Sequence, residues 1–89
     1  MSVYIVSYDL RKPGRDYSSL YDALRRYPHC HGLESVWFIE SDSAAVDIRD
    51  HLWARMDDND KLFVGHLSGN WGSYNVPCVE WLNSPARRW

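Results

Sequence analysis

The hydrophobic period of the chain switches from that of a strand to that of a helix and back, twice, and this ordering limits the available folds more than any single residue does. Val3 to Leu10 (VYIVSYDL) is rich in β-branched and aromatic residues and runs into the turn-forming Arg11-Lys12-Pro13-Gly14, which predicts a buried strand. From Asp16 onward, Tyr17, Leu20, Tyr21, Leu24 and Tyr27 recur at helical spacing, leaving Ser18, Ser19, Asp22, Arg25 and Arg26 mostly on the wet side. Pro28 stops that helix, because a proline disfavours helical geometry in the residue before it. His29-Cys30-His31-Gly32 reads as a loop or short strand, and Leu33 to Glu40 (LESVWFIE) as extended chain, either one bent strand or two. Ser41, Asp42 and Ser43 offer side-chain oxygens for capping a second helix, whose buried stripe is Ala45, Ile48, Leu52 and Met56. Asp57-Asp58-Asn59-Asp60 has the composition of a solvated turn, and Lys61 to Leu67 (KLFVGHL) returns as a strand with Gly65 as a candidate bulge. After the loop Ser68 to Ser73, the tail Val76 to Leu82 contains Pro77 and suits an edge strand or a segment docked on a partner subunit.

Strand, helix, strand or hairpin, helix, strand and tail put two helices on one face of an antiparallel sheet. The expected class is α+β, a ferredoxin-like βαββαβ sandwich with a short C-terminal edge segment. Eighty-nine residues suffice for one domain, spanning 1–89, and an apolar fraction of 45% argues against disorder. Five Trp, six Tyr and two Phe exceed what so small a core hides. Some of Trp53, Trp71, Trp81 and Trp89 are therefore expected at a subunit contact or ligand groove, and a homodimer follows as an expectation. No apolar run approaches the roughly 18 residues needed to span a bilayer, and the chain enters a strand pattern at once, so a cytoplasmic protein without membrane contact is expected. Cys30 and Cys78 are accordingly read as reduced thiols.

A formal charge of −2 argues against nucleic-acid binding through net charge, leaving local basic clusters as the alternative. Arg11, Lys12 and Arg15 form one, Arg25 and Arg26 a second, Arg87 and Arg88 a third. Asp9 is the first candidate for chemistry, a carboxylate at the carboxyl end of the first strand, beside Tyr8 and the basic loop. One carboxylate makes a poor Mg²⁺ site, whereas a two-fold axis bringing two copies of Asp9 together would supply a second ligand. The bland reading is that Asp9 caps the following turn. His29, Cys30 and His31 with Cys78 offer imidazole and thiolate to zinc, but adjacent ligands do not easily reach one tetrahedral centre and a surface loop is the simpler reading. His51 and His66 read as ordinary packed histidines, Gly69-Asn70-Trp71-Gly72 as a turn whose indole packs on the core or a dimer seam, and Asp57, Asp58 and Asp60 lack the spacing of a calcium loop. Neither cysteine has the context of a covalent nucleophile.

Tyr4-Ile5-Val6-Ser7-Tyr8-Asp9-Leu10, the helix carrying Leu20 and Leu24, Ser35-Val36-Trp37-Phe38 and the second amphipathic helix resemble the small CRISPR-associated adaptation proteins of the Cas-two type. With the later strand Asp60-Lys61-Leu62-Phe63-Val64, they resemble their SinR-like relatives more closely, over residues 3 to 71, roughly. The resemblance, shared with the virulence-associated protein D group, implies a ferredoxin-like homodimer whose first-strand aspartate, here Asp9, faces its twin and holds a divalent metal, Mg²⁺ or Mn²⁺. Some such relatives are metal-dependent nucleases and others duplex-binding scaffolds. Ser35 and Trp37 match the polar and neighbouring apolar positions of the later strand motif.

Two readings follow. In the first, the dimer binds RNA or DNA and cleaves phosphodiesters through metal held by Asp9, with Tyr8, Arg11, Lys12, Arg15, Ser35 and Trp37 contacting substrate. In the second, it is a non-catalytic oligomeric module that captures a nucleotide-type small ligand or a partner protein in aromatic grooves, in regulation or in conflict between phage and host.

Overall fold

The computed structural model describes residues 1–85, Arg87 and Trp89. Arg88, half of the third basic pair, lies outside the described residues. The elements follow in the order β1 (Ser2–Asp9), α1 (Ser18–Arg25), β2 (His29–Leu33), β3 (Val36–Ser41), α2 (Ala45–Trp53), β4 (Lys61–Leu67) and α3 (Val79–Leu82). The strands form one antiparallel sheet in the order β2-β3-β1-β4. β1 is central, running beside β3 from Ser2↔Ser41 to Ser7↔Val36 and beside β4 from Val3↔Leu67 to Asp9↔Lys61. This α+β arrangement is consistent with the ferredoxin-like class.

Alternation along the strands divides the core in two, because successive side chains point to opposite sides of a sheet. Tyr4, Val6 and Tyr8 of β1 and Trp37 and Ile39 of β3 meet Leu20, Ala23 and Leu24 of α1 and Ile48 and Leu52 of α2. Each fully buried Leu or Ile contributes about 1.5–3 kcal/mol, so the stripe Leu20, Leu24, Ile48 and Leu52 is what holds both helices to the sheet. Val3 and Phe38 point the other way and pack with Cys78 and Leu82, flanked by Ile5, Cys30, Val36, Leu67, Trp71, Val76 and Trp81.

This second cluster exists because the tail is no edge strand. Val76 to Leu82 turns into α3 and lies across the second sheet face, where Val76 and Leu82 find apolar partners that a solvent-facing edge would not provide. Three contacts fasten it. Cys78, at the N-cap of α3, is disulfide-bonded to Cys30 of β2 across 48 residues of sequence. Arg87 donates from Nη1 to Glu40 Oε2 at 2.8 Å and its guanidinium lies 3.8 Å from the Trp81 ring centre. Trp89 packs on Gly69 and stands 6.5 Å from the ring of Trp71. The reduced-thiol expectation is thus corrected: pairing opposite Phe38 turns Cys30 toward the face that the tail covers with Cys78.

Other local expectations also change. α2 starts without a side-chain cap; Ser41 Oγ instead accepts from the Ser43 N–H and the Ser43 carbonyl accepts from Tyr4. Gly65 pairs in regular register with Ile5, and the irregularity falls in β2 between His31 and Leu33. There Gly32 is required by close approach, since a Cβ would stand 2.6 Å from the Phe38 ring. Among the described residues no helix is long and apolar enough to cross a membrane.

Candidate functional site at the end of the first strand

The β2–β3 turn folds back on the end of β1, with the Tyr8 N–H donating to the Ser35 carbonyl at 3.1 Å. That contact places Ser35 and Glu34 beside Asp9, and the three line an open hollow of about 480 Å³ with Tyr8, Leu10 and Tyr21. Of the residues singled out in the sequence, Tyr8, Asp9 and Ser35 are therefore brought together. Tyr21 and Glu34 are the additions: the hairpin turn brings in Glu34, and α1 brings in Tyr21, whose ring lies 6.4 Å from that of Tyr8, and neither carries a motif of its own.

Tyr8 is held by two hydrogen bonds. Its hydroxyl accepts from the Trp37 indole N–H at 3.1 Å and donates to the Glu34 carbonyl at 3.3 Å. Burial pushes the Tyr8 hydroxyl above its usual range, outweighing the Trp37 bond, so it stays protonated at neutral pH. Trp37 itself is only 2% exposed, covered by His31 stacked at 4.2 Å and His29 at 5.4 Å. It orients Tyr8 and is too deep to touch a substrate, which alters the role expected for it.

Asp9 stands at the rim with its side chain half exposed, and its carboxylate is bound by Arg11, from Nη2 at 2.8 Å and Nε at 2.9 Å. Lys61 is its register partner on β4. A second hollow, of about 180 Å³ between Ser7, Asp9, Lys61 and Phe63, opens on the other side of the same carboxylate. Lys12 and Arg15 turn away from it to Asp57, at 3.6 and 3.9 Å. The basic loop is thus internally compensated, and its cations meet phosphate only by leaving carboxylates they already hold.

What shapes that loop is Asp60, expected as part of a solvated turn but only 5% exposed. Its Oδ1 accepts from the Arg11 N–H at 2.6 Å and the Tyr17 hydroxyl at 2.9 Å, and its Oδ2 from the Asp57 N–H at 2.8 Å. Burial opposes its charge, yet the N–H groups of Arg11 and Asp57, the Tyr17 hydroxyl and the nearby Arg15 together hold its carboxyl below the ordinary range. Tyr17 is raised in turn, by burial first and by the carboxylate it donates to second. Among Asp57, Asp58, Asn59 and Asp60, sequence composition did not distinguish the one that is buried.

The remaining candidates separate. His29 and His31 lie on the helix side of β2, beside Trp37, while Cys30 faces the opposite side in its disulfide. Alternation keeps these donors apart, and among the described residues no three His, Cys, Asp or Glu side chains come close enough to share an ion. His51 lies edge-on to Tyr27 and His66 against Tyr4. Trp71 packs over the second cluster. The chain matches no protein-family model.

Proposed function

We propose that the protein is a homodimeric, ferredoxin-like βαββαβ nucleic-acid-binding protein of nuclease-like type, similar to the CRISPR-associated adaptation proteins of the Cas-two group and working at the end of β1. The observation that carries this reading is the convergence of Asp9, Tyr8 and Ser35 on one open hollow with Glu34. The donors around it are all oxygens, the set that suits a hard divalent cation such as Mg²⁺ or Mn²⁺. Asp9 would hold the ion, with its twin across a two-fold axis completing the acidic set, and a bound ion would supply Lewis acidity toward a phosphodiester. Arg11 is the residue that must yield. Its Nε and Nη2, which both hold Asp9 Oδ2, are then free to take a phosphate oxygen.

The test is cleavage of RNA and DNA by purified protein with and without Mg²⁺ or Mn²⁺, alongside Asp9→Ala. Metal-dependent cleavage lost in the variant supports the mechanism, and cleavage of equal rate in the variant rejects it.

A second reading, a non-catalytic module for a nucleotide or partner protein, is favoured by one feature. Phe63, 66% exposed, and the exposed Leu33 stand on the part of the second sheet face that the tail leaves open, while the loop cations are satisfied within the chain. Stabilisation by nucleotides in a thermal-shift screen, without cleavage under any metal, would select it. In both readings the proposed location is the cytoplasm, where the Cys30–Cys78 pair would meet thiol reductants.

A further inference from the structure

The two sides of the sheet are fastened by different means. Among the described residues, the cluster that binds α1 and α2 draws on none beyond Val64, whereas the opposite cluster depends on Trp71, Val76, Cys78, Trp81 and Leu82 of the tail. The tail's regular structure is the single four-residue turn of α3, too short to stand without packing. Its covalent tie is to β2, an outer strand of the sheet that pairs with β3 alone. Cys78 is fully buried and Cys30 only partly, so Cys30 is the more accessible side of the bond.

We propose that the Cys30–Cys78 disulfide is a redox-sensitive clasp whose reduction frees the segment from Trp71 to Pro85 and uncovers the second sheet face, with the sheet and its two long helices remaining folded. The thiolate of a dithiol reductant attacks Cys30 Sγ, forming a mixed disulfide and expelling Cys78 as a thiolate that takes up a proton. The reductant's second thiolate then attacks its own sulfur in that mixed disulfide and expels Cys30, which is protonated in turn. Two electrons and two protons pass to the protein, and the reductant leaves as a cyclic disulfide. What then holds the segment is the Glu40–Arg87 pair and the apolar contacts of Leu82, Val76 and Trp89. Val3, Ile5 and Phe38 are the residues that lose their cover. The inference stands independently of the role given to Asp9.

The experiment is hydrogen exchange by mass spectrometry on the whole chain, oxidised and after dithiothreitol, with alkylation to count free thiols in each sample. The expected result is a rise of about tenfold or more in the exchange of backbone amides between 71 and 85, with β1 and β3 unchanged, as for a local opening below the global one. Cys30→Ser should reproduce the reduced pattern without reductant and cease to respond to it; if that variant does not fold, the reduced wild-type chain carries the same comparison. Unchanged exchange in the tail with both thiols alkylated overturns the proposal. So does simultaneous loss of protection in β1 and β3, or an air-oxidised protein that still carries two free thiols.

Discussion

Replacing Asp60 with asparagine should destabilise the fold more than any other single change in the acidic turn. The substitution keeps the shape and removes the charge, and it turns one of two accepting oxygens into an NH₂ group. Because Oδ1 serves the Arg11 N–H and Tyr17 while Oδ2 serves the Asp57 N–H, either orientation of the amide sets a donor against a donor. A hydrogen bond to a charged group is worth about 1.5–3 kcal/mol and a stranded buried donor costs about 1–3 kcal/mol. One lost bond and two weakened ones therefore give about 2–4 kcal/mol. For a domain of this size, 1 kcal/mol moves Tm by about 4–8 °C, so the drop should be about 8–32 °C. Urea unfolding at pH 7, followed by far-ultraviolet circular dichroism under oxidising conditions, measures the free-energy loss, and a thermal melt the fall in Tm. Because the Asp60 carboxyl is held below its ordinary range, folding favours its ionised form. That contribution is complete above the unfolded-state pKa of about 3.9 and fades as pH falls through the lower folded-state value. The variant should lose stability less steeply over the same acid window. A destabilisation under about 0.5 kcal/mol, the range of ordinary surface changes, or an acid limb as steep as that of the wild type, would refute the argument.

Other substitutions probe the second face. Gly32→Ala forces a Cβ against the Phe38 ring and should cost about 1–3 kcal/mol in urea unfolding, the usual penalty of overpacking. Loss of the disulfide in Cys30→Ser should cost about 2–5 kcal/mol in the same assay, given the 48-residue separation it closes. Glu40→Ala strands the Arg87 guanidinium beside Trp81, and tryptic cleavage after Arg87 should accelerate while cleavage after Arg49 of α2 does not.

The strands and both long helices were readable because their periods are local: Leu20 and Leu24, or Ile48 and Leu52, declare a buried stripe without reference to anything distant. The break between β2 and β3 was left open in sequence, and the turn around Glu34 and Ser35 settles it through contact with Tyr8. The tail was misread because Pro77 and the β-branched residues near it describe an extended edge, whereas the fate of Val76 and Leu82 is decided by Val3 and Phe38, more than 30 residues away in sequence. The cysteines were misread for the same reason, as no spacing rule brings position 30 to position 78. Of the candidate site, Tyr8 and Asp9 were legible through their place at the end of the first strand, and Ser35 only through the resemblance of its strand motif. What was hidden is electrostatic: that Arg11 closes on Asp9, that Lys12 and Arg15 close on Asp57, and that Asp60 lies beneath them.

The division of the indoles between the two sides of the sheet gives the molecule a pair of optical reporters. Trp37 sits in the interior with the His31 ring stacked on it at 4.2 Å, and its emission answers for the hairpin and the helix side. Trp71, Trp81 and Trp89 all belong to the opposite side and should shift to the red together when that layer admits water. With Trp53, exposed at the end of α2, replaced in both, chains retaining only Trp37, or only Trp71, Trp81 and Trp89, would follow each layer separately in one cuvette.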